Sequence, residues 1–178
     1  QIQNTNVSTN TTFTRTTTGV TFRVGLENCQ ITPHVFRGFI DFNTTSIPDD
    51  SIISTLNLSF GIGTGLNNVD DDDKYLNFTQ LQKQASQYSD DNTGNKALYD
   101  DIGDGVVYTS NTNDLTVAMN TSVVLGATAN QDMQVNLTNN VFQLGIKNAE
   151  LKALANLPTD CGVARDTIST IFRSTDNA

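Results

Sequence analysis

Short runs of alternating apolar and polar residues recur through most of the chain. Val20, Phe22, Val24 and Leu26 occupy every second position, which puts four apolar side chains on one face of an extended strand. Residues 35–42 form a second run and residues 53–60 a third. Further runs follow at residues 106–109, 115–119, 123–125, 133–137, 141–146 and 167–172, separated by Gly, Asn and Asp turns. About nine short strands with such turns predict an all-β, antiparallel sandwich rather than a parallel sheet. Two stretches depart from the alternation. Tyr75, Phe78, Leu81, Ala85 and Tyr88 recur at spacings of three and four, which predicts an amphipathic helix. Residues 149–157 predict a second short helix, stopped by Pro158.

Residues 1–18 differ from the rest. They are polar, low in complexity and carry one charge, Arg15, with Ile2, Val7 and Phe13 as their large apolar side chains. Threonine favours extended backbone over helix. Alone, such a segment buries too little surface to offset its ordering entropy. The expected organisation is therefore an extended N-terminal arm over residues 1–18 and one β-sandwich domain over residues 19–178.

At 178 residues the chain is long enough for a single domain to bury roughly 70% of its unfolded surface. Charge is sparse and acidic, with ten Lys and Arg against nineteen Asp and Glu and a net charge of −9. That balance repels nucleic acid. No run of apolar residues is long enough to span a membrane. The chain opens at Gln1 without a signal peptide, as a mature, processed protein does.

Cys29 and Cys161 are the two cysteines. One histidine and two distant cysteines cannot supply ordinary zinc-ligand spacing; a single disulfide in an oxidising compartment is expected, with two buried thiols as the alternative. Seven Asn-x-Ser/Thr acceptors stand at Asn6, Asn10, Asn43, Asn57, Asn77, Asn120 and Asn136. Alternation turns Asn57 away from the face carrying Leu56 and Leu58, and places Asn136 likewise between Val135 and Leu137. These features point to a secreted glycoprotein at the cell surface or outside the cell, with N-linked glycans.

The acidic runs are the sharpest charged features. Asp70-Asp71-Asp72-Asp73 precedes the helix expected near Tyr75, where carboxylates cap backbone N–H groups. The competing reading is calcium held by Asp70, Asp71 and Asp72, with Asp100, Asp101 and Asp104 as further ligands. None of these runs follows the spacing of an EF-hand loop, and turn formation accounts for the later Asp-Gly clusters. Gly61-Ile62-Gly63-Thr64-Gly65 lacks the lysine of a phosphate-binding loop and reads as the end of a strand. His34, the one histidine, has no local acid or nucleophile, so no catalytic set is assigned. The absence of tryptophan and the presence of only four tyrosines count against hydrolase and sugar-binding readings alike.

One stretch carries a resemblance. Arg37-Gly38-Phe39-Ile40-Asp41-Phe42-Asn43-Thr44 runs into Ser46-Ile47-Pro48-Asp49-Asp50, and then into Ile53 and Leu56. This resembles secreted jelly-roll domains named for an Asp-Asn-Arg-Leu-Arg-Glu motif and related to carbohydrate-binding modules. Residues 141–146 resemble that family's strand ending Phe-Gly-Leu-Arg, and residues 165–178 its penultimate strand and Ser-x-Asp turn. The naming motif itself is absent. The resemblance implies a non-catalytic jelly roll. It also implies a last strand, of the type Pro-x-Leu-x-Val-x-Tyr, that this chain lacks after Ala178. A sandwich short of one strand leaves an apolar groove beside residues 167–172. Residues 1–18 of a neighbouring copy would fill it, with Ile2, Val7 and Phe13 as anchors. The expected function is thus a structural subunit of an extracellular filament, pilus or surface tube, polymerising head to tail with copies of itself. The alternative is a carbohydrate-binding or adhesive module of a larger cell-surface protein.

Overall fold

A computed structural model of the chain describes residues 1–4, 12–17, 21–27, 34–62, 76–111, 121–148 and 167–173. Ten strands lie among them: β1 (Ile2–Asn4), β2 (Phe13–Arg15), β3 (Thr21–Glu27), β4 (His34–Asn43), β5 (Asn57–Ile62), β6 (Leu76–Gln80), β7 (Val107–Asn111), β8 (Thr121–Val124), β9 (Val141–Asn148) and β10 (Thr167–Arg173). Two helices accompany them, α1 (Asn92–Asp104) and α2 (Ala127–Asn136). Strand order is β7-β6-β9-β4-β3-β10-β5-β8, with β1 added to β4 and β2 added to β1. Every pairing among the described residues is antiparallel. The molecule is therefore sheet-rich and antiparallel, as the alternation predicts.

The sheet folds over on itself. Phe60 of β5 and Phe78 of β6 stand far apart in strand order, yet their rings are 5.8 Å apart. Val24, Leu58, Phe60, Leu76, Phe78, Phe142, Leu144 and Ile146 meet between the two arms of the sheet, and α2 adds Ala129 and Met133. Fully burying side chains of this size contributes about 1.5–3 kcal/mol each. A second cluster lies on the outer side of β4, where α1 packs.

Three expectations give way here. The helix expected from Tyr75 to Tyr88 is instead strand β6 followed by a short 3-10 turn at Ala85–Gln87. Strand β6 is central, between β7 and β9; its apolar Leu76 and Phe78 alternate about Asn77, and Thr79 is buried on the other face beneath α1. Phe78, Leu81, Ala85 and Tyr88 are buried, only not on one helix face. Because a strand follows at Leu76, Asp70 to Asp73 have no helix there to cap; those four residues lie outside the described ones.

The strand expected at residues 133–137 is the second half of α2 and the 3-10 turn after it. Ala129, Met133 and Leu137 are buried at a spacing of four while Val135 is 73% exposed, which is a helical pattern. Asn136 accordingly ends a helix. Third, residues 1–18 are not one extended segment, since β1 and β2 pair with each other (Ile2 opposite Arg15) and β1 pairs with β4. The runs expected at residues 115–119 and 149–157 lie outside the described residues.

Cys29 and Cys161 also lie outside them, but the ladder bears on their pairing. Glu27 stands opposite Thr167 at one end of the β3–β10 pair. The chain leaving β3 toward Cys29 and the chain arriving at β10 from Cys161 therefore meet the sheet at the same end. We expect non-reducing peptide mapping to recover one Cys29–Cys161 cross-link. Closing a loop of this length contributes about 4–5 kcal/mol in the chain-entropy model, so reduction should lower the denaturant midpoint by a corresponding amount. Two free thiols in the native protein would refute the pairing.

Candidate functional site

The densest meeting of sequence-singled residues is the seat of the N-terminal arm. It is built on α1. Asp91 caps the helix, its carboxylate accepting from the Gly94 N–H at 2.7 Å, and that bond, with one from the Ser89 hydroxyl, holds the Asp91 carboxyl below its ordinary range. Gly94, Asn95, Leu98, Tyr99 and Ile102 then form the buried face, at the three- and four-residue spacing of an amphipathic helix. Beneath the helix passes the side chain of Arg37 from β4. Its Nη1 donates to the Tyr99 carbonyl at 2.6 Å, and its guanidinium lies 3.8 Å from the Tyr99 ring centre. Gly103 makes room for it: a Cβ there would stand 2.1 Å from Nη1.

Strand β4 supplies the edge. Residues His34 to Phe36 pair with β3 on one side, while β9 bonds β4 only from Gly38 onward. The other edge of residues 35–37 is left over, and β1 fills it, with Ile2 opposite Arg37 and Asn4 opposite Val35. An unfilled edge over an apolar surface is an aggregation hazard.

Two of the three expected anchors occupy this seat. Ile2 is 0% and Phe13 3% exposed. They pack with Val35, Leu81, Ala85, Leu98, Tyr99 and Ile102, none of which belongs to the arm. The Phe13 ring lies 5.1 Å from that of Tyr99, and the Phe13 N–H donates to Asn92 Oδ1 at 2.7 Å. Val7 lies outside the described residues. The groove expected beside residues 167–172 is not where the arm sits: β10 is flanked by β3 along its length and by β5 at Phe172 and Arg173.

A fourth anchor escapes the sequence pattern. Arg15 donates from Nη1 to the carbonyls of Ala85 (2.8 Å) and Tyr88 (3.2 Å) and stands 3.4 Å from Asp90. The Ala85 carbonyl also accepts from the Tyr88 N–H at 3.3 Å across the 3-10 turn, and a guanidinium reaches the remaining lone pairs of both carbonyls. The signal was present, since Arg15 is the one charge in a neutral arm. Gln1 adds a further tie, its carboxamide oxygen accepting from the Arg23 N–H at 2.7 Å. The seat is not fully satisfied, because Arg15 Nε, Asn95 Oδ1 and the Tyr99 hydroxyl are buried without hydrogen-bond partners. Such groups cost about 1–3 kcal/mol each. Burial raises the Tyr99 phenol above its ordinary value against the opposing effect of Arg37.

The other singled-out residues do not gather. Asp100 pairs with Lys96 one helical turn away, Asp101 accepts from the Tyr88 hydroxyl at 2.6 Å and the Gln82 N–H at 3.0 Å, and Asp104 is exposed. Burial, then the Asp101 carboxylate, push the Tyr88 phenol well above its ordinary range. Among the described residues no group of three or more His, Cys, Asp or Glu could hold a metal ion; Asp70, Asp71 and Asp72 lie outside them. His34 opens β4 opposite Glu27. Among the described residues no helix is long and apolar enough to cross a membrane.

A second feature is a concavity of about 240 Å³ lined by six carboxamides, from Gln82, Gln84, Gln87, Gln143, Asn136 and Asn139, together with Lys83. Carboxamides both donate and accept, so the lining matches hydroxyl-rich ligands; it offers no acid–base pair.

Two outcomes are expected of the seat. Phe13→Ala should destabilise the single chain by about 3–5 kcal/mol, read as a shift in denaturant midpoint; a change within error would show that the anchor carries no weight. The Asp91 cap contributes fully above the ordinary carboxylate range and is lost as pH falls through the lowered folded value. Acid should therefore open α1 early, seen as accelerated amide exchange over residues 92–104. Asp91→Asn keeps a capping oxygen and should abolish that pH dependence.

No family model matches this chain, and no curated protein and no solved structure shows significant similarity to it.

Proposed function

We propose that this protein is a non-catalytic structural subunit of an extracellular filament, pilus or surface tube, built on a jelly-roll sandwich and assembled by exchange of its N-terminal arm. The observation that carries this reading is the seat itself. Ile2, Phe13 and Arg15 fill a groove whose walls belong entirely to the rest of the chain. Such a groove accepts the same arm from a neighbouring copy with the same contacts. The chain between β2 and β3 would act as the hinge, and a short hinge favours exchange when it is strained. An exchange in which each copy donates to the next does not close, so it builds fibres. The resemblance to secreted jelly-roll domains, the sequons and the cysteine pair support an extracellular setting.

Binding of carbohydrate, as an adhesive module, is the second reading. It is favoured by the carboxamide-lined concavity and weakened by the lack of tryptophan, since sugar sites rely on aromatic faces as well as hydrogen bonds.

Electron microscopy of untreated native material tests the first reading, with regular polymers expected. An excess of a synthetic peptide of residues 1–17 should cap free grooves and shorten polymers growing from the full chain. Dispersed monomers, or polymers that grow unaffected by the peptide, would refute arm exchange. Glycan-array binding lost on Gln143→Ala would then favour the module.

A further inference from the structure

The four described sequons do not present their asparagines alike. Asn43 lies at the exposed end of β4, and its Oδ1 accepts from both the Thr45 N–H (2.9 Å) and the Thr45 hydroxyl (2.6 Å). The two ends of that sequon are thereby folded together, the carboxamide oxygen is occupied, and the residue is exposed. Asn57 is exposed on β5 with Ser59 on the same face, while Leu58 and Phe60 between and beyond them are buried.

Asn77 and Asn136 are placed differently. Asn77 is half-buried on the central strand β6, between Ser110 of β7 and Lys147 of β9. The hydroxyl of its sequon, on Thr79, is buried and donates to the Ile102 carbonyl at 3.0 Å beneath α1. A glycan on that face would displace the helix. Asn136 ends α2, where its Nδ2 donates to the Asp132 carbonyl at 2.8 Å and its Oδ1 accepts from Asn139 at 3.0 Å. Both ends of its carboxamide are engaged in the helix terminus.

We propose that Asn43 and Asn57 carry N-linked glycans and that Asn77 and Asn136 do not. The transfer uses a sugar carried on a lipid diphosphate. The Asn Nδ2 attacks the anomeric carbon, the new C–N bond forms, and the C–O bond to the diphosphate breaks with its electron pair. The lipid diphosphate leaves and the amide nitrogen gives up one proton. The assignment has a consequence for packing between copies. Asn43 lies six residues along β4 from Arg37, about 20 Å at the rise of a strand, so its glycan clears the arm seat. The inference does not depend on arm exchange.

The test is glycan mapping of the protein from its native source. Enzymatic release of N-glycans in heavy-oxygen water converts each occupied asparagine to labelled aspartate, read by peptide mass spectrometry. Label is expected at Asn43 and Asn57 and not at Asn77 or Asn136. Asn43→Gln and Asn57→Gln should each remove one glycan from the intact mass, and Asn77→Gln should remove none. Unlabelled Asn43 and Asn57, or label at Asn77 or Asn136, would overturn the assignment.

Discussion

Arg37 leaves the middle of β4 and is buried under α1, with a carbonyl and an aromatic face for partners. Taking a guanidinium out of water costs several kcal/mol unless its donors are met and its charge is accommodated. Helix α1 therefore cannot slide or rotate on the sheet without abandoning the Tyr99 contacts and stranding that charge. The fit is tight as well as polar, because Gly103 leaves space for the guanidinium where any larger residue would fill it. Lys147 reinforces the same end of the helix by donating to the Gly103 carbonyl. Its own pKa is lowered first by burial and then by Arg37, so the two cations share a region rich in carbonyl oxygen.

Once α1 is fixed, the groove follows from geometry. Helix α1, the 3-10 turn and the open edge of β4 leave an apolar strip with a row of unpaired main-chain groups. Neither water nor the folded sheet can fill it well: the edge needs a strand, and the strip needs side chains. Residues 1–15 supply both, through a three-residue ladder, two apolar anchors and one guanidinium. What looks in the sequence like a weakly apolar tail is in the fold a fitted part, whose side chains are few because the seat has few places for them.

Much of this organisation was legible in the sequence, and the failures have physical causes. Strand β5 alternates plainly, because Leu58 and Phe60 are buried while Asn57 and Ser59 are exposed. The anchors Ile2 and Phe13 were legible because an otherwise polar segment makes its rare apolar residues conspicuous. Helix α1 was hidden by Gly94 and Gly103, poor helix formers that the packing against Ser89 and Arg37 requires, and by aspartates that look like turn residues. Strand β6 looked helical because Tyr75, Phe78 and Leu81 fall at a spacing of three, which hides the alternation of Leu76 and Phe78 about Asn77. The seat of the arm within the single chain was not foreseen. It arises in the middle of β4, where β9 departs and β1 takes its place. No pattern within a single strand reports where a neighbouring strand leaves it.

Under the proposed exchange, the seat would hold a neighbour's arm through the contacts it makes with its own. In cis, the short connection from β2 to β3 sets the effective concentration of the arm on the order of millimolar. A neighbour's arm competes only where subunits are crowded or where the hinge is strained enough to offset that advantage. The unpaired polar atoms at the seam would recur in an exchanged arrangement and so would favour neither partner. The asymmetry comes from propagation. When one arm moves to a neighbour, its own groove is left open, and the exposed edge of β4 can be covered only by the arm of a further copy. In the proposed exchange each transfer would thus create the acceptor for the next, and the arm that completes the monomer would become the link of a head-to-tail chain.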